Sequence, residues 1–262
     1  MTAFREEVIG DARLILADCR EVLPLVAPVD AIVCDPPYGI GEARGKNASR
    51  GKMAEARDYG VEAWDDAPLD DDVIAEWRRL SRWQIIFGGN YYSLPPSSCW
   101  LVWDKMNTGD FADCELAWTN LPKAVRRLQW LWNGMIRKGG EERGFHPTQK
   151  PVGVMEWCIH HLPADVRTVC DPTMGSGTTG VACVKMGKRF IGIEREPRYF
   201  DAACRRIEQA QRQNTLALEA PAEPAEQYEV RYLPFGEDAT ADEAVQTLGG
   251  HHGAHARLAV KR

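Results

Sequence analysis

The run Asp35-Pro36-Pro37-Tyr38 places a carboxylate, two proline units and an aromatic ring in consecutive positions. The prolines fix φ twice and stiffen the turn. They carry no N–H, but their carbonyls remain acceptors. Such a turn suits an aromatic amine. Asp35 and a backbone carbonyl can accept the two amino hydrogens while the Tyr38 ring stacks on the heterocycle. The lone pair of an adenine or cytosine amino group is delocalised into the ring, so the nitrogen is a weak nucleophile. Two acceptors pull it toward sp³ geometry and localise the pair for direct displacement on an in-line methyl donor. Acceptors preset toward developing positive charge would supply much of that catalysis. Asp35, Pro36, Pro37 and Tyr38 are therefore the candidate catalytic residues, with a plain turn as the alternative.

A second run, Asp171-Pro172-Thr173-Met174-Gly175-Ser176-Gly177-Thr178-Thr179-Gly180, follows a strand pattern and opens a helix pattern. Its glycines let backbone approach a ligand, and a helix start offers unpaired N–H groups. A triphosphate loop would need a lysine, and none is present here. The spacing matches the dinucleotide fingerprint only weakly, which leaves a nicotinamide site as a minor alternative. Glu194 ends the next strand pattern and suits acceptance from ribose hydroxyls. A nucleoside with an amino-acid tail fits this set, with the acidic Asp171 at the strand end. The other reading of Glu194 is a cap on the following helix. A third run, His146-Pro147-Thr148-Gln149-Lys150-Pro151, puts a lysine and a helix start where a carboxylate could be held.

These runs need a scaffold. Short apolar strands alternate with helical patterns, as in an α/β fold with a mostly parallel sheet. Strand patterns cover 13–17, 30–34, 84–87, 100–103, 115–118, 128–132, 168–170 and 189–193. Helix patterns cover 70–82, 151–162, 178–186 and 197–212. In such a sheet, ligands bind at the carboxyl ends of strands, which is where both the Asp35 turn and the Asp171 loop fall.

The chain has 262 residues, 44% hydrophobic and 27% charged, enough for one large domain. No apolar run reaches the length of a membrane span. Met1 to Gly10 has no signal-like apolar core. A cytoplasmic protein without membrane association is expected. The eight cysteines include no C-x-x-C pair, so buried free thiols are expected and no metal. The net charge is -6, but residues 213–262 hold eight acidic and four basic residues. Two stretches are locally basic. One, 41–57, carries Arg44, Lys46, Arg50 and Lys52; the other, 120–145, carries Lys123, Arg126, Arg127, Arg137 and Lys138. Both are candidate phosphate contacts, or else solvated surface. Residues 217–226 read as an Ala/Pro/Glu linker. The catalytic domain is expected over 1–212, with small recognition insertions near 41–66 and 120–145 and a largely disordered acidic tail over 213–262.

In order and content the three runs resemble the beta class of DNA amino-methyltransferases, most closely its compact phage or prophage enzymes, over roughly Arg13 to Glu208. The resemblance implies a Rossmann-like class I fold: a seven-stranded, mostly parallel sheet with one antiparallel strand and helices on both faces. It implies a site-specific enzyme using S-adenosylmethionine, often in a restriction-modification setting. Asp35, Pro36 and Tyr38 would hold a base flipped out of double-stranded DNA. The cofactor would be lined by Asp171, Pro172, Thr173, Gly175, Ser176, Gly177, Thr178 and Thr179. Glu194 would take the ribose hydroxyls. His146, Thr148 and Lys150 would sit near the methionine end, and Asp18 would accept from the cofactor's adenine amino group. The family's usual aromatic third residue in the loop is Thr173 here, and the glycine before Asp18 is Ala17.

Asp35 favours adenine N6 over cytosine N4, where serine more often opens the turn. Methylation at cytosine C5 needs a thiolate, usually in a Pro-Cys pair, and the sequence has none. A non-catalytic DNA-binding or cofactor-sensing module is the reading from another class. A homodimer and a cognate restriction endonuclease are further partners to test.

Overall fold

The computed structural model describes residues 4–22, 25–26, 28–39, 68–106, 112–131 and 149–219. They belong to one compact unit, Met1–Ala220. Among them, nine strands form a single sheet: β1 (Arg5–Ile9), β2 (Ala12–Leu16), β3 (Val29–Cys34), β4 (Ser81–Phe87), β5 (Trp100–Asp104), β6 (Cys114–Thr119), β7 (Arg126–Gln129), β8 (Thr168–Asp171) and β9 (Arg189–Glu194). The α-helices of the same residues are α1 (Cys19–Val22), α2 (Asp71–Leu80), α3 (Val152–His160), α4 (Thr178–Lys185) and α5 (Pro197–Glu219).

The strand order is β1-β2-β9-β8-β3-β4-β6-β5-β7. Pairings β2–β9, β9–β8, β8–β3, β3–β4 and β5–β7 are parallel. β1 runs against β2, and β6 runs against both β4 and β5. The expected seven strands with one reversed are the block from β2 to β5. Two edge strands extend the count to nine. β1 forms a hairpin on β2 across Gly10 and covers what would be an open edge. β7 covers the edge of β5 at the other side.

β3 shows why the centre of the sheet reads as an unbroken apolar run. Ala31 and Val33 face a core built with α3, α4 and α5; Ile32 and Cys34 face a second core with α1 and α2. A strand buried on both faces needs no polar alternation. α2 behaves oppositely. Only Ile74 and Trp77 are buried, with Asp71 and Asp72 in the first turn and Arg78 and Arg79 in the last. That charge order suits the helix dipole.

α5 continues to Glu219, past Arg212 where the sequence pattern ends the helix. The expected tail lies outside the described residues from 220 onward. Six of the eight cysteines are buried, and all are free thiols. Among the described residues, no helix is long and apolar enough to cross a membrane.

Candidate active site

Four acidic residues line up where parallel strands end. Ile32 of β3 pairs with Cys170 of β8, and Asp171 of β8 pairs with Gly192 of β9. Leu16 of β2 pairs with Glu194 of β9, and the Ala17 N–H donates to the Glu194 carbonyl at 2.9 Å. Asp18, Glu194, Asp171 and Asp35 therefore follow the carboxyl ends of four adjacent strands. At about 4.8 Å per strand, the row spans roughly 15 Å. The turn and the loop, far apart in sequence, meet at one sheet edge.

The turn is held from several sides. Tyr38 donates its hydroxyl to Asp35 Oδ1, and Tyr92 donates to the Pro37 carbonyl. The Tyr38 ring stacks on Tyr91, with centroids 5.0 Å apart and planes 14° from parallel. Gly88, just beyond β4, makes room for it. A Cβ there would lie 2.1 Å from Tyr38 Cε1, and its φ of +64° is itself a glycine conformation. Burial, with the Asp35 and Glu115 charges, pushes the Tyr38 hydroxyl well above its ordinary pKa, so it stays a donor.

Asp35 Oδ2 accepts from Lys150 Nζ at 2.5 Å. Lys150 is only 6% exposed. The same ammonium lies 2.8 Å from Glu115 Oε2 at the start of β6. Glu115 Oε1 lies 2.5 Å from Lys105 Nζ, just beyond β5. Phe87 and Tyr38 face the Lys150 ammonium with their rings, at 5.0 and 5.8 Å to the centroids. Burial raises the Asp35 carboxyl, with Lys150 opposing and Glu115 adding to the rise. Burial also works against ionised Glu115, but the two lysines overcome it and bring Glu115 to about 2. Lys150 is likewise held protonated against its burial, by Asp35 and Glu115.

The Asp171 loop is braced from within. Asp171 accepts from Thr179 Oγ1 at 2.6 Å and from the Thr173 N–H at 3.1 Å. Glu194 accepts from the N–H groups of Gly175 at 2.9 Å and Glu196 at 2.8 Å. Burial pushes both carboxyls up to about 7. Gly177 caps α4 with φ +78°, and a Cβ there would meet Ala203 Cβ of α5 at 2.8 Å. Arg206 of α5 donates to the Ser176 carbonyl at 2.6 Å and to Thr178 Oγ1 at 3.1 Å. Ser176 Oγ donates to Gln149 Oε1 at 3.2 Å. Thr173 Oγ1 is buried and has no hydrogen-bond partner among the described residues.

This loop fits a nucleoside with a polar tail. It offers a half-buried Glu194 carboxylate at a strand end, backbone at Gly175 and Gly177, and an unpartnered Thr173 hydroxyl. Asp18 stands at the end of the row but is engaged: Arg20 holds its two oxygens at 2.6 and 3.0 Å and keeps its carboxyl low. Lys150, expected near the methionine end of the cofactor, directs its ammonium at Asp35. Glu115, Lys105, Tyr91, Tyr92 and Arg206 carry no mark in the sequence. Glu115 reads as one more residue of a strand pattern, and no local signal distinguishes it.

The basic candidates divide. Arg44, Lys46, Arg50, Lys52, Arg137, Lys138, His146 and Thr148 lie outside the described residues. Lys123, Arg126 and Arg127 are exposed. Arg126 pairs with Leu101 and Gln129 with Asp104, so β7 begins at the end of the sheet away from Asp35. Lys123 there donates to the His161 carbonyl at 2.6 Å. Arg127 lies 3.8 Å from Asp104 at the nearer end. The structure does not bring Lys123 or Arg126 together with the Asp35 turn.

A DNA methylase family model, for N6 and N4 methyltransferases, matches residues 100–205. The type II methyltransferase M2.LlaDCHI of Lactococcus lactis subsp. cremoris is 27% identical over 244 residues, covering 75% of this chain and 89% of that protein. M2.DpnII of Streptococcus pneumoniae is 39% identical over 84 residues, which span 32% of this chain and 31% of that protein. Among solved structures, the M1.HpyAVI–SAM complex is 26% identical with a TM-score of 0.50, covering 75% of this chain and 98% of that one. The cytosine-N4-specific PvuII DNA methyltransferase has a TM-score of 0.50 at 13% identity, covering 76% of this chain and 87% of that one, a likeness of fold.

Proposed function

We propose that this chain, which a DNA methylase family model matches over residues 100–205, is an N4/N6 DNA methyltransferase that uses S-adenosylmethionine and methylates adenine N6 in DNA. The carrying observation is the position of Asp35, a desolvated carboxyl at the same sheet edge as the Gly175–Gly177 loop. When bound, S-adenosylmethionine supplies an electrophilic sulfonium methyl. The residues assigned to hold it are Glu194 for the ribose hydroxyls, Asp171 to Thr179 for the loop contacts, and Asp18 at the far end of the row.

Asp35 accepts an amino hydrogen of the flipped base and frees the nitrogen lone pair. With that methyl supplied from the neighbouring loop, the base nitrogen would become acidic on alkylation. Asp35 is placed to take that proton, and its burial favours the protonated form. Tyr38 stacks on the base and holds Asp35 in place through its hydroxyl. Lys150 sets the direction of the other oxygen.

DNA is placed against the strand-end edge. Tyr38 bridges to Pro68 there, and the basic residues Arg44, Lys46, Arg50 and Lys52 fall between these two in sequence. Arg137 and Lys138 belong to the segment between Leu131 and Gln149. Their phosphate contacts would position the duplex. The biological setting we infer is site-specific modification paired with a restriction endonuclease.

Incubation with labelled S-adenosylmethionine and unmethylated DNA, followed by nucleoside mass spectrometry, should yield N6-methyladenine. N4-methylcytosine instead would change the base and keep the rest. No methylated nucleoside, while S-adenosylhomocysteine still raises the melting temperature, would leave a non-catalytic module.

A further inference from the structure

Four charges alternate through the site: Lys105, Glu115, Lys150 and Asp35. They come from the end of β5, the start of β6, the segment before α3 and the turn after β3. The outer pair is separated by 2.5 Å, the middle pair by 2.8 Å and the inner pair by 2.5 Å. Lys150 is the only cation within hydrogen-bond distance of Asp35 among the described residues, and two carboxylates reach for it.

We propose that Glu115 is a positioning residue, competing from β6 for the Lys150 ammonium and thereby setting how tightly Lys150 holds the catalytic carboxylate. The proposal rests on the reading of Asp35 given above. Lys150 donates its hydrogen bond to Asp35 and meets Glu115 Oε2 as a close ion pair without hydrogen-bond geometry; an ammonium has three N–H groups and no fixed fork, so it can turn toward either carboxylate. If Lys150 served Asp35 alone in this buried setting, the pair would close on itself and Asp35 would be a poor acceptor for a base amine. Glu115 draws part of the charge away and fixes the ammonium from behind. Lys105 in turn draws on Glu115, so the outer lysine tempers the competition.

The groups facing Asp35 are Lys150, Glu115, Tyr38, Asp171 and the Cys34 thiol, with Lys105 behind Glu115 and Tyr92 behind Tyr38. Within that set, the scheme fixes opposite signs for two substitutions. Glu115→Gln removes the competitor, so Lys150 turns wholly to Asp35 and the Asp35 titration moves to lower pH. Lys105→Gln leaves Glu115 unopposed, draws Lys150 away, and moves the titration to higher pH. A packing role alone would loosen the site in both variants and move them the same way.

The test follows the Asp35 carboxyl by carbon NMR across a pH series in the full chain, without DNA or donor, in wild type and both variants. Shifts of opposite sign are expected. In steady state, Glu115→Gln should lower kcat roughly tenfold, the factor that one unit of acid strength carries, with donor affinity unchanged. Glu115→Asp should restore part of it. Unmoved titrations, or shifts of one sign, overturn the proposal. If Glu115→Gln does not fold, Lys105→Gln decides alone, since a downward or absent shift is then sufficient to reject it. Failure of wild type to methylate adenine would strike the proposed reaction and leave this titration intact as a measurement.

Discussion

Lys150 Nζ sits 2.5 Å from Asp35 Oδ2, a pairing across 115 positions of sequence. The Asp35 carboxylate is thus held through Oδ2 by a residue ahead of α3 and through Oδ1 by its near neighbour Tyr38. Asp35→Ala removes the acceptor but leaves Lys150 its second partner, Glu115. Turnover is expected to fall at least about a hundredfold, the scale of removing one preset electrostatic group. Donor affinity should persist, because Gly175 and Glu194 are untouched. Calorimetric titration with S-adenosylhomocysteine would show it; abolished binding would mean the turn serves the donor.

Gly88 offers a second handle on the same ring. Gly88→Ala brings a Cβ to 2.1 Å from Tyr38 Cε1 at a φ of +64°. The ring must move, and the backbone is strained by about 1–2 kcal/mol. KM for DNA should rise roughly tenfold, the order of weakening one base–aromatic stack, with donor binding unchanged. Steady-state kinetics would check it, and an unaltered KM would remove Tyr38 from base capture.

The two raised carboxyls, Asp171 of the loop and Glu194 at the end of β9, are expected to make donor binding depend on pH. Glu194 and Asp171 each titrate at about 7 when folded, above their ordinary 4.5 and 3.8. Raised folded values stabilise the fold below the unfolded pKa, and that contribution is lost as pH rises through about 7. Hydroxyl and ammonium donors on a ligand favour the ionised forms, so binding releases protons. Without ligand, the melting temperature should be lower at pH 8 than at pH 6. The rise produced by S-adenosylhomocysteine should be larger at pH 8. A larger rise at pH 6 would remove these carboxylates from the binding set.

The basic residues can be sorted by salt. Neutralising Arg137 and Lys138 should weaken DNA binding and flatten its salt dependence, the log–log slope falling by about 0.9 for each phosphate no longer neutralised. Neutralising Lys123 and Arg126 should leave the slope alone, because they sit where the strands begin. Fluorescence anisotropy across a salt series separates the two. An effect of the second pair alone would turn the docking face around.

Much of the scaffold is legible in the sequence because its signals are local. β3 is apolar throughout, α2 carries acids first and arginines last, and both site runs follow strands. β1 escapes the pattern because Arg5, Glu6 and Glu7 show no apolar alternation; it forms by pairing with β2. The pattern sets β7 late, at 128–132 where the tryptophans cluster, although its ladder runs over Arg126–Gln129 along β5. Glu115 and Lys105 are invisible for a deeper reason. Their meaning arises only when β6 folds antiparallel between β4 and β5 and delivers them to a lysine from elsewhere. Pairings of that kind leave no trace in spacing.

Gln149 and Lys150 are neighbours along the backbone, yet their side chains reach different loops, Ser176 in one case and Asp35 in the other. On the proposed assignment, one peptide unit touches both the donor's loop and the base's turn. Coupling between donor and DNA binding is the expected consequence, measurable as a change in DNA affinity when S-adenosylhomocysteine is present. Thermodynamic reciprocity then applies: whatever factor the donor adds to DNA affinity, DNA must return to the donor in full.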